Sequence, residues 1–409
     1  MSLNKKLKEG TNLRDMQSMN RSLVIRLLRN NQNCSRAKLA KESGLKQATI
    51  TNIINDFINW GLVIETGIIN GEKGRRSIGI SLNNKKFRSI GVRLSRNYFS
   101  IGLFDLLGTG YNIKKEYIDA TAGPDTALEK MKKTINNYIR KNMDEARILG
   151  IGISIPGPYI KSKGKIALMT EFPGWDKILI EGKLKLTSKI PIYFEHDANT
   201  GALAEWWYGY SRRAKGTLVY ILAGEGIGAG IVIDGNLYRG SLGIAGEIGH
   251  VTINFNGPKC KCGNRGCLEH YCSTISLLNE AKKQLPSYPK STLNKELSKS
   301  SIFSALKEGD ELAEKLIGDA AGYLGFGVVN VINTYNPDTI VIGDELTQAG
   351  PKLLETVRHS VKMHTLPDIY KSLHIKLSSL KNDPVLLGAS FLAIENVLNN
   401  PSLFKELNN

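Results

Sequence analysis

The sequence predicts an α/β protein built in two unlike parts. Residues 1–84 read as a small winged helix-turn-helix module, and residues 85–200 and 201–409 as two similar α/β lobes. Three observations predict this division. Charge is segregated: of a net +17, residues 1–86 hold 16 Lys and Arg against 6 Asp and Glu. A small basic unit on a milder body points to an anionic partner for the first part. In that unit, glycine-terminated helical periodicity is followed by two β-like runs. In the body, one strand–turn–strand pattern occurs twice.

In the basic unit, Leu23, Val24, Leu27 and Leu28 recur at helical spacing. Ser35 is a good N-cap for a second helix running to Ser43, and Gly44 supplies the left-handed residue that ends one. A third helix over 47–60 places Ile50, Ile53, Ile54, Phe57 and Ile58 on one side. Two such helices about a short turn make a helix-turn-helix. The exposed side opens with Gln47, Ala48, Thr49, Thr51 and Asn52, whose short side chains suit base edges in a major groove. Runs at 62–69 and 78–82 flank a tip carrying Lys73, Arg75 and Arg76. Arginines there reach phosphate or the minor groove. The plain alternative is a three-helix protein-contact module; the charge favours DNA.

The repeated pattern spans residues 89–105 and 217–234. Two similar halves imply a cleft between them, where ligands commonly bind. Residues 153–158 (ISIPGP) are a strand entering a rigid turn, and 194–199 (FEHDAN) a strand meeting a helix over 199–210. Asp197 there is either a hydroxyl acceptor or general base, or merely that helix's cap. The run GEGIGAG at 224–230 has a phosphate loop's glycine content, but Glu225 at its centre would repel phosphate. Residues 319–334 read as a buried apolar helix, and 339–343 as a buried strand leading to Asp344 and Glu345. The Ser- and Lys-rich stretch 286–301 reads as a mobile surface segment.

The densest chemistry lies at 246–269, GEIGHVTINFNGPKCKCGNRGCLE. His250, Cys260, Cys262 and Cys267 supply the four nitrogen and sulfur ligands that tetrahedral Zn²⁺ takes, and a closed set of four is structural. Gly263 and Gly266 let the backbone fold tightly around a metal. Three buried, reduced cysteines are the bland alternative. Glu247 and Glu269 beside the ligands suggest that the metal shapes a polar pocket. Hydrophobic residues make up 41% of the chain, yet no run approaches the ~20 apolar residues of a membrane span. The N-terminus lacks a signal peptide's apolar core. A cytoplasmic protein without membrane association is expected, so the cysteine spacing favours metal over disulfide.

The winged helix ending in GEKGRR, the duplicated body and GEIGH…CKCGNRGCLE together resemble the ROK family (repressors, open reading frames, kinases), nearest its xylose-repressor branch. The resemblance implies an actin-like ATPase (ribonuclease-H-like) two-lobed body with sugar between the lobes. It implies zinc on His250, Cys260, Cys262 and Cys267, and sugar hydroxyls on Asp197, Glu247, His250 and Glu269. His250 would then give one ring nitrogen to zinc and leave the other facing the sugar. His196 stands in the sugar site where family kinases have asparagine, and Phe172 occupies another such loop position. The nucleotide side departs from the kinases. The first phosphate turn reads Val92-Arg-Leu-Ser-Arg-Asn97, Glu225 replaces a threonine, and Gly343 is followed by Asp-Glu.

These features together predict a sugar-responsive repressor without kinase activity. Its expected partners are operator DNA, a small sugar effector and a second copy of the chain, as dimers or paired dimers. An ATP-dependent sugar kinase, and a regulator governed by a protein partner such as a transport component, are the alternatives.

Overall fold

A computed structural model describes residues 13–70, 76–119, 122–142, 146–167, 174–186, 188–209 and 216–399. Lys73, Arg75 and Phe172 lie outside the described residues.

The head begins with helices α1 (Leu13–Asn31), α2 (Arg36–Ser43) and α3 (Gln47–Asn59). Ser35 caps α2, its hydroxyl accepting from the Lys38 amide, and Gly44 at φ +70° closes it. Strands β1 (Val63–Asn70) and β2 (Arg76–Leu82) then pair antiparallel, with Val63 opposite Leu82 and Asn70 opposite Arg76. The apolar spacing seen in the sequence becomes a core: Val24, Ile25, Leu28, Leu39, Ile50, Ile54 and Phe57 are fully buried.

The body holds two five-stranded sheets. The first comprises β3 (Phe87–Leu94), β4 (Tyr98–Asp105), β5 (Gly110–Tyr117), β6 (Arg147–Ile155) and β7 (Ile192–His196), in the order β5-β4-β3-β6-β7. Helix α4 (Gly123–Asn142) crosses from β5 to β6. Helix α5 (Asp197–Tyr208) follows β7. The second sheet comprises β8 (Thr217–Ala223), β9 (Ile227–Ile233), β10 (Asn236–Leu237), β11 (Thr339–Gly343) and β12 (His374–Leu377), in the order β10-β9-β8-β11-β12. In each sheet the first strand pairs antiparallel with the second and parallel with the fourth. The two repeated sequence segments are the corresponding pairs β3–β4 and β8–β9.

Helices α6 (Glu269–Cys272), α7 (Thr274–Gln284), α8 (Lys299–Lys307), α9 (Glu311–Tyr335) and α10 (Pro351–His364) belong to the second lobe. Among the described residues α9 alone is long and apolar enough to cross a membrane, and 61% of its apolar window is buried in that lobe's core. The stretch 286–301 is not the bare surface segment its composition suggests. Leu293 is buried there, Asp310 accepts from Ser291 and Thr292, and Ser298 caps α8. Short polar side chains satisfy backbone groups as well as water does, which composition alone cannot reveal.

The final helix, α11 (Pro384–Asn399), returns to the first sheet. At Gly152 of β6 a Cβ would stand 1.7 Å from the Ala389 carbonyl oxygen, so only glycine admits this helix. Helix α5 lies on β8 and β9 of the second sheet, and α5 and α11 pack on each other. The order through the body is therefore sheet, α11, α5, sheet. The cleft opens at the N-terminal end of α5.

Candidate functional site

One cleft between the lobes is lined by His196, Asp197, Glu247, His250 and Glu269, together with Arg93, Arg96, Glu225, Asp344 and Glu345. Strand β7 delivers the first two. His196 is extended (φ −64°, ψ 143°) and occupies the cap position, so α5 starts at Asp197, two residues earlier than the sequence suggests. Asp197 is therefore the first helical residue rather than the cap. Its Oδ1 accepts from the Ala198 amide at 2.7 Å and lies 3.1 Å from His196 Nε2.

Glu247 precedes a single 3₁₀ turn, Ile248–His250, which brings its carboxylate and the His250 ring to the same cleft. Glu269 opens α6, and its Oε2 accepts from the Ile227 amide at 2.9 Å. Glu247 Oε1 and His196 Nδ1 are buried with no hydrogen-bond partner among the described residues. Burial pushes the Glu247 carboxyl up; His196 and His250 oppose this, while Asp197 and Glu269 reinforce it. Buried polar atoms without partners are costly, and ligand hydroxyls would satisfy them. The arrangement suits a polyhydroxylic ligand.

Sequence reading missed the residue beside this pair. Glu195 is buried and accepts from Arg239 Nε at 2.9 Å and Nη2 at 2.8 Å, and from Asn199 at 3.0 Å. Burial alone would raise its carboxyl, but Arg239 and Asn199 hold it below the ordinary value. It ties the end of β7 to the loop that leads to Glu247, across the lobes. A glutamate beside a histidine carries no sequence signal; the partner is 44 residues away.

The opposite end of the cleft is filled by ion pairs. Arg93, at the end of β3, reaches Asp344 and Asp383, each at 2.8 Å. Arg96 lies 3.4 Å from Glu225, and Lys299 contacts Glu225 at 2.7 Å and Glu345 at 3.0 Å. Glu225 sits below its ordinary value: burial opposes this, but the hydrogen bond from Lys299 and the nearby Arg96 prevail. Asp344 has φ 74° and ψ −160°, a conformation otherwise reserved for glycine, at a cost of about 1–3 kcal/mol. Burial pushes its carboxyl up against the pull of Arg93. The departures seen at Arg93, Arg96, Glu225 and Asp344 thus fall in two adjoining ion-pair groups, one completed by Asp383 and the other by Lys299 and Glu345.

Below the floor of the cleft, the ligand atoms of His250, Cys260, Cys262 and Cys267 lie within 4.8 Å of one another. Cys260 Sγ is 3.8 Å from His250 Nδ1, and Cys262 Sγ is 3.7 Å from Cys267 Sγ. A tetrahedron with sulfur bonds near 2.3 Å has edges of about 3.8 Å, so the four atoms fit a metal ion. Asn264 holds the His250 carbonyl at 3.1 Å. Gly266 (φ +59°) lets the loop close, since a Cβ would stand 1.7 Å from the Asn254 oxygen. Cys34 and Cys272 lie apart from the cluster and are buried.

On the head, Gln47, Ala48 and Asn52 are exposed, while Thr49 and Thr51 are half-buried. Thr51 Oγ1 donates to the Gln47 carbonyl at 3.0 Å. Arg76 is exposed at the start of β2, and Arg75 lies outside the described residues.

The ROK family profile matches residues 89–396. The chain belongs to the ROK family. A xylose repressor of Caldicellulosiruptor bescii is 33% identical over 396 residues, covering 94% of this chain and 98% of that protein. A glucokinase of Halalkalibacterium halodurans is 32% identical over 269 residues, covering 64% of this chain and 80% of its own length. Among solved structures, a ROK transcriptional regulator, homologous to the Escherichia coli MLC protein, superposes with a TM-score of 0.80. It is 28% identical and covers 97% of this chain and 100% of that one. Within the ROK fold, the repressor similarity thus runs nearly end to end, head included, and the kinase similarity does not.

Proposed function

We propose that this chain is a sugar-responsive transcriptional repressor of carbohydrate-utilisation genes that does not phosphorylate its ligand. One observation carries the reading: the cleft keeps buried, unsatisfied hydroxyl acceptors at one end and fills its other end with internal ion pairs. A kinase needs the second end open for nucleotide phosphate. Here Arg93, Arg96, Glu225, Asp344 and Glu345 line that space, and the basic side chains a triphosphate would need are already paired with these carboxylates. The glucokinase similarity favours the rival reading, and it predicts ADP release with sugar; none is expected.

In this reading Asp197, Glu247 and Glu269 accept from sugar hydroxyls, His250 donates its remaining ring N–H to one, and His196 closes the pocket over them. Structural zinc on His250 Nδ1, Cys260, Cys262 and Cys267 supplies a fixed charge that orients the His250 ring, leaving its other nitrogen toward the sugar. Gln47, Ala48, Thr49, Thr51 and Asn52 meet base edges, and Arg75 and Arg76 meet the backbone or minor groove of operator DNA. A dimer, alone or paired into a tetramer, places two heads on a symmetric site. The chain works in the cytoplasm, where operator and sugar are both present.

Fluorescence anisotropy on the gene's upstream DNA at fixed salt, across free and phosphorylated sugars, tests this. Release by one sugar is expected; tighter binding with sugar contradicts repression of this kind. Asp197→Asn makes a second test. It keeps size but exchanges an acceptor for a mixed group, so sugar affinity should fall about 10- to 100-fold, the 1.5–3 kcal/mol of a charged hydrogen bond. Operator binding without sugar should stay within about twofold of wild type, a difference below 0.5 kcal/mol.

A further inference from the structure

The head is seated on the two helices that run between the lobes, not merely tethered to them. Helix α5 starts in the cleft at Asp197, and α11 covers the first sheet; both end against α1. Arg29 stacks over the rings of Trp207 and Tyr208 at 4.2 and 4.7 Å, and Arg26 stands 5.7 Å from the Trp207 ring. On the α11 side, Ser22 donates to the Leu398 carbonyl at 2.6 Å and Arg26 to Asn399 Oδ1 at 3.3 Å. Trp207 packs on Phe391 of α11 with centroids 4.5 Å apart. One buried apolar cluster runs from Ile25 and Leu28 of the head through Ala198 and Ala202 to Phe391.

We propose that Arg26 and Arg29 are the positioning residues through which occupancy of the cleft reaches the DNA-binding head. The proposal rests on the functional reading above. A ligand held by Asp197 acts on the first residue of α5. Twelve helical residues form a stiff rod of about 18 Å, so a displacement there arrives at Trp207 and Tyr208. Helices α5 and α11 lie on different sheets, so closing the cleft slides one along the other, as in shear motions of packed helices. Helix α1 touches both ends and cannot follow both. Its bonds to Leu398 and Asn399 are directional, whereas its stacking on Trp207 and Tyr208 is not. The stack of Arg29, with Arg26 beside it, is thus the contact that α5 drags with it, while Ser22 and the Arg26 bond to Asn399 hold α1 to α11, and α1 tilts between them.

The test measures operator affinity of the full chain with and without saturating D-xylose, D-glucose or N-acetyl-D-glucosamine, and sugar affinity with and without operator. In wild type the effective sugar should weaken operator binding about tenfold or more, and by linkage operator should weaken sugar binding equally. The Arg26→Ala, Arg29→Ala double variant should bind sugar alone and operator alone within about threefold of wild type. Its mutual effect of the two ligands should fall below about twofold. A merely structural role would weaken binding without changing that ratio. Arg29→Lys keeps the charge but loses the flat stacking surface, and should give an intermediate ratio. If the double variant does not fold, Arg29→Lys decides alone. Wild-type coupling in the folded variant overturns the proposal. A wild type that binds operator yet answers to none of these sugars overturns the functional reading itself, and the coupling with it.

Discussion

Cys262→Ser is expected to lower the melting temperature by on the order of 10 °C and to abolish the sugar response in the same step. Serine cannot replace a thiolate on a soft metal, and the three remaining ligands would stay crowded within a few ångströms of each other. Binding energy at a closed metal site is folding energy, because the unfolded chain offers no preformed site. The loss propagates to the cleft because His250 belongs to both places. Its Nδ1 faces Cys260, and its ring lines the pocket. Freed from the metal, the ring can rotate and turn its other nitrogen away from the ligand. Differential scanning fluorimetry, metal content and sugar calorimetry read the three consequences separately. Cys272→Ala is the matched control: Cys272 is buried outside the cluster, so metal content and sugar affinity should hold. A Cys262→Ser protein that melts and responds like wild type would remove the metal from the scheme.

Arg93→Ala should cost about 3–5 kcal/mol, the loss expected when one partner of a buried ion pair is removed. Arg93 and Asp344 each expose only 10% of their side chains, and Asp383 leans on the same guanidinium. Without Arg93, the carboxylates of Asp344 and Asp383 would face each other with no cation between them, Asp344 only 10% exposed. Asp344 would also keep a backbone conformation that its ion pair no longer offsets. Pairing Arg93→Met with Asp344→Gly should recover most of the loss, since an apolar stem and a relaxed backbone replace charge and strain together. Denaturant unfolding of the three proteins measures this. A single variant within about 1 kcal/mol of wild type would mean that the network is solvent-screened and does not join the lobes.

Much of the head was legible in the residues. Ser35 and Gly44 bound α2, and Ile50, Ile54 and Phe57 are buried as their spacing predicts. These are local matters: a cap bonds three residues away, and helical periodicity repeats within two turns. The gathering of His250 with Cys260, Cys262 and Cys267 was legible for a related reason. Three of its members lie within eight residues, and thiolates at that density have little other use.

What the tertiary structure alone decided is who stands opposite whom. The stretch 286–301 looked inert until folding set Lys299 against Glu225 and Glu345. Arg93 looked like a lost phosphate turn until Asp344 and Asp383, 251 and 290 residues away, were placed beside it. Nothing in the sequence near Arg29 points to Trp207 and Tyr208, which α5 presents beneath it. The sequence by itself determined the basic head on an α/β body, the close-set His250 and cysteines that could hold a metal, and the carboxylates that line the cleft, because caps, periodicity and residue spacing are short-range properties of a chain. The ion-pair network and the seat of the head came only from three dimensions. A charge declares its sign in sequence, but its partner is chosen by packing.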